Sequence, residues 1–330
     1  MTDASENKQH LVFAVLLGIA GLLIILIFVT IRSQGDSENS ATSANITNAA
    51  PSIDTIYLTD DQNGLGGVNI DLTENSTKEV YVRGRFTDNN GCDEVNGAAG
   101  IVTTLYRSGV DQDTNCGANN LNCRPDLACE VYNCIAGGAD VEAGFLCTTT
   151  LQYFADATDA GTYETQSWKA TATSTDSSNA TGVGTSAGSD VNSLTAIGLG
   201  EDAAGDAIAY GELALGAANT DDSANIIWRN TGNTTFNPTV SSAAAMNCTV
   251  GIIPIANQHF ATSSAVGYTG QMALSSDPTS LLSATDSCYA KATGTGAASS
   301  TGNIFWKIQL PANGISGSCT GTNVVNAVGC

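Results

Sequence analysis

The most constraining feature of the sequence is an uncharged apolar run, Leu11–Ile31, with the sequence LVFAVLLGIAGLLIILIFVTI. A helix of this length, rising about 1.5 Å per residue, would extend roughly 30 Å, the hydrocarbon thickness of a bilayer. A secretory signal peptide has a shorter apolar region and a nearby cleavage site of small residues, whereas Arg32 and Gln34 stand close behind this run. The run therefore predicts a transmembrane anchor helix over residues 11–31, behind a short cytoplasmic tail of residues 1–10.

The small residues Ala14, Gly18 and Gly21 lie along this predicted helix and are candidates for packing against a second helix. Glycine and alanine are also common in anchor helices that pack against no other helix, so a packing face and a plain anchor both stay open. A type IV pilin likewise has an apolar N-terminal helix below a β-rich head. The basic leader ending in glycine and the acidic residue typical of a pilin helix are not found here, so a pilin-like filament subunit is an alternative only.

The ten cysteines fall into two even groups, six between residues 92 and 147 and four between residues 248 and 330. Even groups in separate blocks, without a Cys-x-x-Cys pair, indicate disulfides formed in an oxidising compartment. We therefore expect the chain after the anchor to be extracellular; the positive-inside rule is nearly silent, with Lys8 before the helix and Arg32 after it. The predicted disulfide cysteines are Cys92, Cys116, Cys123, Cys129, Cys134, Cys147, Cys248, Cys288, Cys319 and Cys330.

The pairing of these cysteines stays open, because six allow fifteen arrangements and four allow three. We expect Cys319 or Cys330 to hold down the C-terminal strand, where fraying is otherwise favoured. Asn-x-Ser/Thr sequons fit an extracellular chain and are glycosylation candidates, although a sequence so rich in Ser and Thr contains such triplets by chance. They lie at Asn45, Asn75, Asn179, Asn233 and Asn247.

Charged residues make up only 13% of the chain, about half the usual share, and the formal net charge is -21. Such a charge argues against nucleic acid as a partner and against docking on an anionic lipid surface. The abundance of Gly, Ala, Ser and Thr is typical of surface-layer proteins and adhesins.

Short alternating segments separated by turn residues predict an all-β chain. In Lys78–Thr87 the alternation places Val80, Val82 and Phe86 inward; in Asn303–Leu310 it sends Lys307 to the face opposite the apolar residues. Further strand candidates include Ile208–Leu213, Cys248–Ile253 and Cys319–Val328, with a hairpin turn at Asn230–Asn233.

The predicted organisation follows from these strands and from the changes in composition along the chain. A Ser- and Asn-rich flexible spacer covers residues 32–50. Two tandem immunoglobulin-like β-sandwich domains follow, residues 51–192 with six cysteines and residues 193–330 with four. The second domain begins after the Gly- and Ser-rich segment TGVGTSAGSD.

Catalytic constellations are not recognisable in the sequence. His259 is the one histidine outside the tail and stands in no nucleophile motif, so an ordinary structural role is expected. Trp168, Trp228 and Trp306 lie on predicted strands, which favours a buried role over sugar stacking. We therefore expect that the chain is not an enzyme and has no catalytic residue. Calcium is the one cofactor for which the sequence offers candidate ligands.

Two turns offer clustered oxygen atoms that could bind calcium: Asp60, Asp61 and Asn63 in the first, Asp88 and Asn90 in the second. Asp, Asn and Gly are also ordinary turn formers, and neither turn completes a twelve-residue calcium loop. The two interpretations stay open.

Ten short segments, in order, resemble secreted cell-surface proteins of ultrasmall candidate-phylum bacteria of the Patescibacteria type. The match runs from about Pro51 to the C-terminus. This resemblance implies a cell-surface β-sandwich protein that belongs to the envelope layer, and it supplies no catalytic residue. The segments are APSIDTIYLT, FTDNNGCDEV, TTLYRSGV, NNLNC, LQYFADATDAG, SWKATATSTD, IAYGELALG, RNTGN, IANQHFATSS and WKIQLPANGISGSCTGTN.

The sequence thus predicts a single-pass cell-membrane protein whose C-terminal domains are extracellular and serve a structural or interaction role, as a surface-layer component or an adhesin. Its expected partners are the bilayer, through residues 11–31, and further copies of the chain, neighbouring envelope proteins or glycans. An anchored hydrolase of extracellular polysaccharide and a calcium-dependent binding module are the alternatives of other classes.

Overall fold

A computed structural model provides the structure of the chain. It describes residues 17, 19, 42–64, 69–95, 100–110, 116, 119–135, 137, 140–200, 206–220, 224–282, 288–294 and 300–330.

Contacts divide the chain into two units, residues 1–47 and residues 48–330. In the first unit Leu17 and Ile19 are helical, and residues 42–47 are extended and exposed. The rest of the predicted anchor, with Ala14, Gly18 and Gly21, lies outside the described residues. Among the residues that are described, no helix is both long and apolar enough to cross a bilayer.

The second unit is all-β, as the alternating pattern predicts, and its regular elements are strands and four short 3₁₀ helices within the described chain. The strands of its N-terminal half are β1 (Ser52–Thr59), β2 (Thr77–Thr87), β3 (Ile101–Arg107), β4 (Cys123–Ala128), β5 (Glu130–Tyr132), β6 (Glu142–Gln152), β7 (Trp168–Thr175) and β8 (Thr181–Thr185). The strands of its C-terminal half are β9 (Ile197–Leu199), β10 (Asn225–Asn230), β11 (Phe236–Ser241), β12 (Met246–Val250), β13 (Ile252–Ile253), β14 (Gln258–Ala261), β15 (Met272–Ala273), β16 (Thr279–Ser280), β17 (Thr301–Ile308), β18 (Ser316–Thr320) and β19 (Val324–Gly329). The 3₁₀ helices are Cys92–Glu94, Gly161–Tyr163, Ile255–Asn257 and Tyr268–Gly270.

In the N-terminal half, two four-stranded antiparallel sheets, β1-β2-β6-β5 and β4-β3-β7-β8, enclose one core. Val80, Val82 and Phe86 of β2 are fully buried in it, which confirms the inward face predicted for that strand. Trp168 of β7 enters the same core from the opposite sheet. Two sheets that share a core through alternating side chains have the layered arrangement of a β-sandwich.

In the C-terminal half, a five-stranded sheet, β15-β14-β17-β10-β9, packs with the smaller sheets β16-β11-β19 and β13-β12-β18. Trp228 of β10, Phe236 of β11 and Trp306 of β17 are fully buried in its main core. Residues 48–330 form one compact unit with these two main cores, and the division at residues 192 and 193 stays a prediction.

Several details of the predicted strand pattern were wrong. Residues 208–213 form no strand, although Ile208, Tyr210 and Leu213 still pack against the cores as an irregular segment. The Asn230–Asn233 turn is not a hairpin, because β10 and β11, which it joins, belong to different sheets. Cys248–Ile253 is the hairpin β12–β13, which turns at Gly251 with a φ of 79°.

The TGVGT segment forms the edge strand β8. Its glycines have a packing reason, since a Cβ at Gly182 would lie 2.1 Å from the Pro51 carbonyl oxygen and one at Gly184 would lie 2.5 Å from Ile53 Cγ2. Glycine therefore lets the opposite sheet approach closely, a role that composition alone cannot distinguish from flexibility.

Lys307 lies on the outer face of β17, as the alternation predicts, but that face is not open to solvent. Its side chain is 3% exposed, because the segment around Asn219 and Thr220 covers the outer face of the strand. The Lys307 ammonium donates to the Thr220 carbonyl oxygen at 3.1 Å. Both faces of β17 are thus covered at this point.

A buried charge cluster lies where the two halves meet. The Asp156 carboxylate is held by Arg107 Nε at 2.8 Å and by the Lys291 ammonium, which comes from the C-terminal half. Asp156 is 3% exposed and Arg107 is 7% exposed. The Arg107 guanidinium also lies over the Tyr163 ring, 3.7 Å from its centroid. Within the cluster Asp156 compensates the buried charge of Arg107, and its contact with the partly exposed Lys291 links the halves.

Five disulfides pair all ten cysteines, as the even groups predict, and each one stays within its own group. The C-terminal strand is held at its end by Cys330, as expected, while Cys319 joins β18 to β12. The pairs are Cys92–Cys134, Cys116–Cys123, Cys129–Cys147, Cys248–Cys319 and Cys288–Cys330.

Removing the last of these bonds by Cys288→Ser with Cys330→Ser should lower the free energy of unfolding by about 2–4 kcal/mol. In the described part of the chain, strand β19 is an edge strand that pairs with β11 alone, and the disulfide closes a loop with a sequence separation of 42 residues. Chemical denaturation under non-reducing conditions measures the loss, and limited proteolysis should cut the variant first near its C-terminus. A variant as stable and as resistant as the parent chain would contradict this role.

Candidate functional site

The first predicted calcium turn is explained by turn chemistry. Asp60 forms a salt bridge with Lys78 at 2.9 Å. Asp61 Oδ1 accepts the Asn63 backbone N–H at 3.0 Å, and the Asp61 carbonyl oxygen accepts the Gly64 N–H at 2.9 Å. These bonds form an ordinary turn stabilised by an aspartate side chain, and among the described residues no group of three acidic, histidine or cysteine side chains forms at this turn.

The second predicted turn forms part of a group of three carboxylates. One oxygen each of Asp88, Glu94 and Asp176 lies within 4.8 Å of the others, and this is the one such group of acidic residues in the described part of the chain. Asp88 is fully buried and Asp176 is 4% exposed. We call these three residues the carboxylate cluster.

The turn after β2 builds two corners of the carboxylate cluster. Asp88 Oδ1 accepts the Asn90 N–H at 2.9 Å, which fixes the side chain of Asp88. Gly91, with a φ of 130°, lets the chain reverse into the 3₁₀ helix Cys92–Glu94 that carries Glu94. The Cys92–Cys134 disulfide holds this helix in place.

Asp176, at the end of β7, supplies the third corner. Its Oδ1 accepts the backbone N–H groups of Ser178 and Ala180, each at 2.8 Å, and its Oδ2 accepts the Asn48 amide at 2.8 Å. The Asn48 hydrogen bond is the largest influence that lowers the pKa of Asp176, burial acts in the opposite direction, and the two backbone bonds add to the lowering. Asp176 is therefore charged at neutral pH.

Of the predicted calcium ligands, the structure brings only Asp88 into the carboxylate cluster. Asn90 Oδ1 instead accepts the Ala49 N–H at 2.6 Å. Sequence reasoning missed Glu94 and Asp176. Glu94 lies six residues after Asp88, which does not match the twelve-residue calcium loop, and Asp176 reaches the site only through the packing of β7.

The residues considered for catalysis occupy structural positions. Trp168, Trp228 and Trp306 are fully buried, so none of them offers the exposed platform that carbohydrate binding needs. The His259 ring stacks on Tyr268 with 4.0 Å between centroids, and its Nδ1 lies 2.8 Å from the Tyr268 carbonyl oxygen. His259 thus shares a hydrogen bond with the backbone.

Four of the five sequon asparagines are exposed, at residues 45, 75, 179 and 247. The fifth, Asn233, is 3% exposed, and its side-chain nitrogen donates to the Asn192 carbonyl oxygen at 3.1 Å. A glycan attaches to that nitrogen, so the folded chain offers no room for one at Asn233.

Comparisons with known proteins identify no family for this chain and only weak structural similarities. No family model and no curated protein matches the chain. Among solved structures, the C-terminal domain of the Streptococcus agalactiae AgI/II polypeptide BspA is similar at 10% identity over 85% of this chain and 100% of that chain, with a TM-score of 0.17. The C-terminal domain of the Streptococcus pyogenes antigen I/II-family protein AspA is similar at 10% identity over 86% of this chain and 100% of that chain, with a TM-score of 0.19. At such TM-scores the backbones do not superpose as one fold, and nothing about this chain follows from the matches.

Proposed function

We propose that this protein is a non-catalytic component of the cell envelope, anchored in the membrane by residues 11–31 and exposing residues 48–330 outside. In this proposal the two β halves are tandem immunoglobulin-like sandwiches that serve a structural or interaction role. Residues 32–47 would separate them from the bilayer as a polar spacer.

The observation that carries the proposal is the pairing of all ten cysteines in five disulfides. Glutathione and thioredoxin keep cytosolic thiols reduced, so a chain with this many structural disulfides belongs in an oxidising compartment. The apolar run before it supplies a means of crossing the membrane and remaining there. The resemblance to secreted surface proteins of ultrasmall bacteria points in the same direction.

A structural or interaction role suits what residues 48–330 present to solvent. The three tryptophans are buried, so polysaccharide hydrolysis lacks the aromatic platform on which that alternative depends. Self-association into a layer, contact with neighbouring envelope proteins and adhesion to glycans all use exposed loops on a rigid scaffold. Both β halves supply such scaffolds.

Cleavage of intact cells by a site-specific protease tests the topology. A recognition sequence inserted in the spacer between Ser40 and Ala41 should allow added protease to release the folded part of the chain into the medium. The matched insertion between Ser5 and Glu6, in the tail, should stay uncut until the cells are lysed. Release from neither intact strain, with cleavage of both after lysis, would overturn the proposal.

Electron microscopy of native envelopes separates the two forms of the proposal. A periodic coat that disappears when the chain is deleted supports a surface-layer component. Sparse labelling, with loss of attachment to a surface or a second cell on deletion, supports an adhesin. Neither phenotype on deletion would contradict both forms.

A further inference from the structure

We propose that Asp88, Glu94 and Asp176 bind a calcium ion that fixes the point where the chain enters the N-terminal half. The starting observation is the carboxylate cluster itself, in which one oxygen from each residue lies within 4.8 Å of the others. Three separate elements contribute: the end of β2, the 3₁₀ helix after it and the end of β7. The proposal depends on the extracellular placement only for its natural supply of calcium.

Unpaired oxygen atoms are the second and independent observation. Asp88 is fully buried, and its Oδ2 has no hydrogen-bond partner among the residues that the structure describes. Glu94 Oε2 is likewise enclosed, and no described residue donates a hydrogen bond to it. Buried carboxylate oxygens are almost always paired, because an unpaired one loses its hydration without compensation. Two such atoms in one cluster indicate a ligand that supplies positive charge.

The same half of the molecule shows how the chain treats a buried carboxylate that needs no metal. Asp156 is as buried as Asp176, and it is neutralised by Arg107 and Lys291. In the described part of the chain, no lysine or arginine forms an ion pair with Asp88, Glu94 or Asp176. Three adjacent carboxylates without a cationic side chain repel one another unless a bound cation compensates them.

The chemistry of the donor atoms selects the cation. All three side chains offer hard oxygen ligands, which suit calcium and magnesium, whereas zinc favours nitrogen and sulfur. Cys92, the nearest sulfur in sequence, is held in a disulfide. Ligands from a turn and a strand end give an irregular arrangement, which calcium accepts and the strict octahedral geometry of magnesium does not.

The position of the carboxylate cluster suggests what the ion does. Asn48 donates to Asp176, and the Ala49 N–H donates to Asn90 Oδ1, so the chain passes directly beside the cluster as it enters the N-terminal half. A calcium ion would join this entry point to β2 and β7. Extracellular calcium sites bind with dissociation constants of about 0.1–1 mM, so the ion would stiffen the entry point outside the cell.

Calcium titration of the full chain, purified in non-ionic detergent and stripped with EGTA, tests the proposal. Calorimetry should give one calcium ion per chain and a weaker response to magnesium, and calcium should raise the melting temperature. Asp88→Asn and Glu94→Gln should each weaken binding about tenfold or more. The matched control is Glu164→Gln, which removes an exposed carboxylate and should leave binding unchanged.

The melting temperatures in EGTA distinguish a metal site from a merely structural carboxylate. Without calcium, Asp88→Asn should melt at or above the parent chain, since it removes one of three repelling charges. With calcium, the order should reverse. Absence of calcium binding, magnesium binding of equal strength, or an Asp88→Asn variant that melts lower than the parent in both conditions would each overturn the proposal. Because the purified chain is used, these results do not depend on its topology in the cell.

Discussion

Replacement of Asp156 by alanine is expected to lower the free energy of unfolding by about 3–5 kcal/mol. The change leaves the Arg107 guanidinium, which is 7% exposed, without its carboxylate, and it also removes the acid that binds Lys291. A buried charge without its partner loses hydration and gains nothing in return. The effect should be large because the other side chains that contact the Arg107 guanidinium in the described part of the chain, the Tyr163 ring and the Gln166 amide, carry no charge.

Chemical denaturation of the oxidised chain measures this effect. Asp277→Ala is the matched control, because Asp277 is exposed and its loss should change stability by less than about 0.5 kcal/mol. Since Lys291 belongs to the C-terminal half, Asp156→Ala should also loosen the contact between the halves, and proteolysis near the junction should become faster. Equal stabilities of the two variants would show that the charge cluster does not support the fold.

Replacement of Trp228 by alanine is expected to cost about 3–5 kcal/mol as well. The ring is fully buried in the core of the C-terminal half, 4.4 Å from the Tyr289 ring and 5.5 Å from the Phe236 ring, centroid to centroid. Gly302 on the neighbouring strand makes room for it, since a Cβ there would lie 2.4 Å from Trp228 Cζ2. Removal of the indole ring leaves a cavity, and the closely packed sheets around it cannot move far enough to fill it.

The conservative variant Trp228→Phe, which keeps an aromatic ring against Tyr289, should lose less stability than Trp228→Ala. Thermal unfolding followed by near-ultraviolet circular dichroism reports the loss. If the alanine variant unfolded at the temperature of the parent chain, the Trp228 ring would not be part of the core. Trp228 would then again be a candidate for the exposed, sugar-binding tryptophan of a hydrolase.

The alternating strands were predictable because one face of each is buried and the other is not. Val80, Val82 and Phe86 of β2 follow this rule, as does Trp168 of β7. The even cysteine groups likewise predicted disulfides, although fifteen pairings of the first six were possible. These features depend on neighbours in sequence or on simple counting.

Features that depend on long-range packing were not predictable. Lys307 is buried because a distant segment covers it, and the turn at Asn230–Asn233 connects two sheets where the local pattern predicts a hairpin. The carboxylate cluster is the strongest example, since Asp88 follows β2 and Asp176 follows β7, and these strands belong to two different sheets that must pack together. Of its three residues, only Asp88 could be predicted from the sequence, because it lies in a recognisable turn.

The redox state of the cysteines in living cells tests the central claim most directly. Cells should be treated with a membrane-permeant alkylating reagent before lysis. The isolated chain should then be analysed without reduction by intact-mass spectrometry and by peptide mapping. An extracellular, disulfide-supported protein should carry no alkyl group on any of its ten cysteines and should yield the five pairs seen in the structure. Alkylation of all ten would place the folded chain in a reducing compartment and contradict the claim.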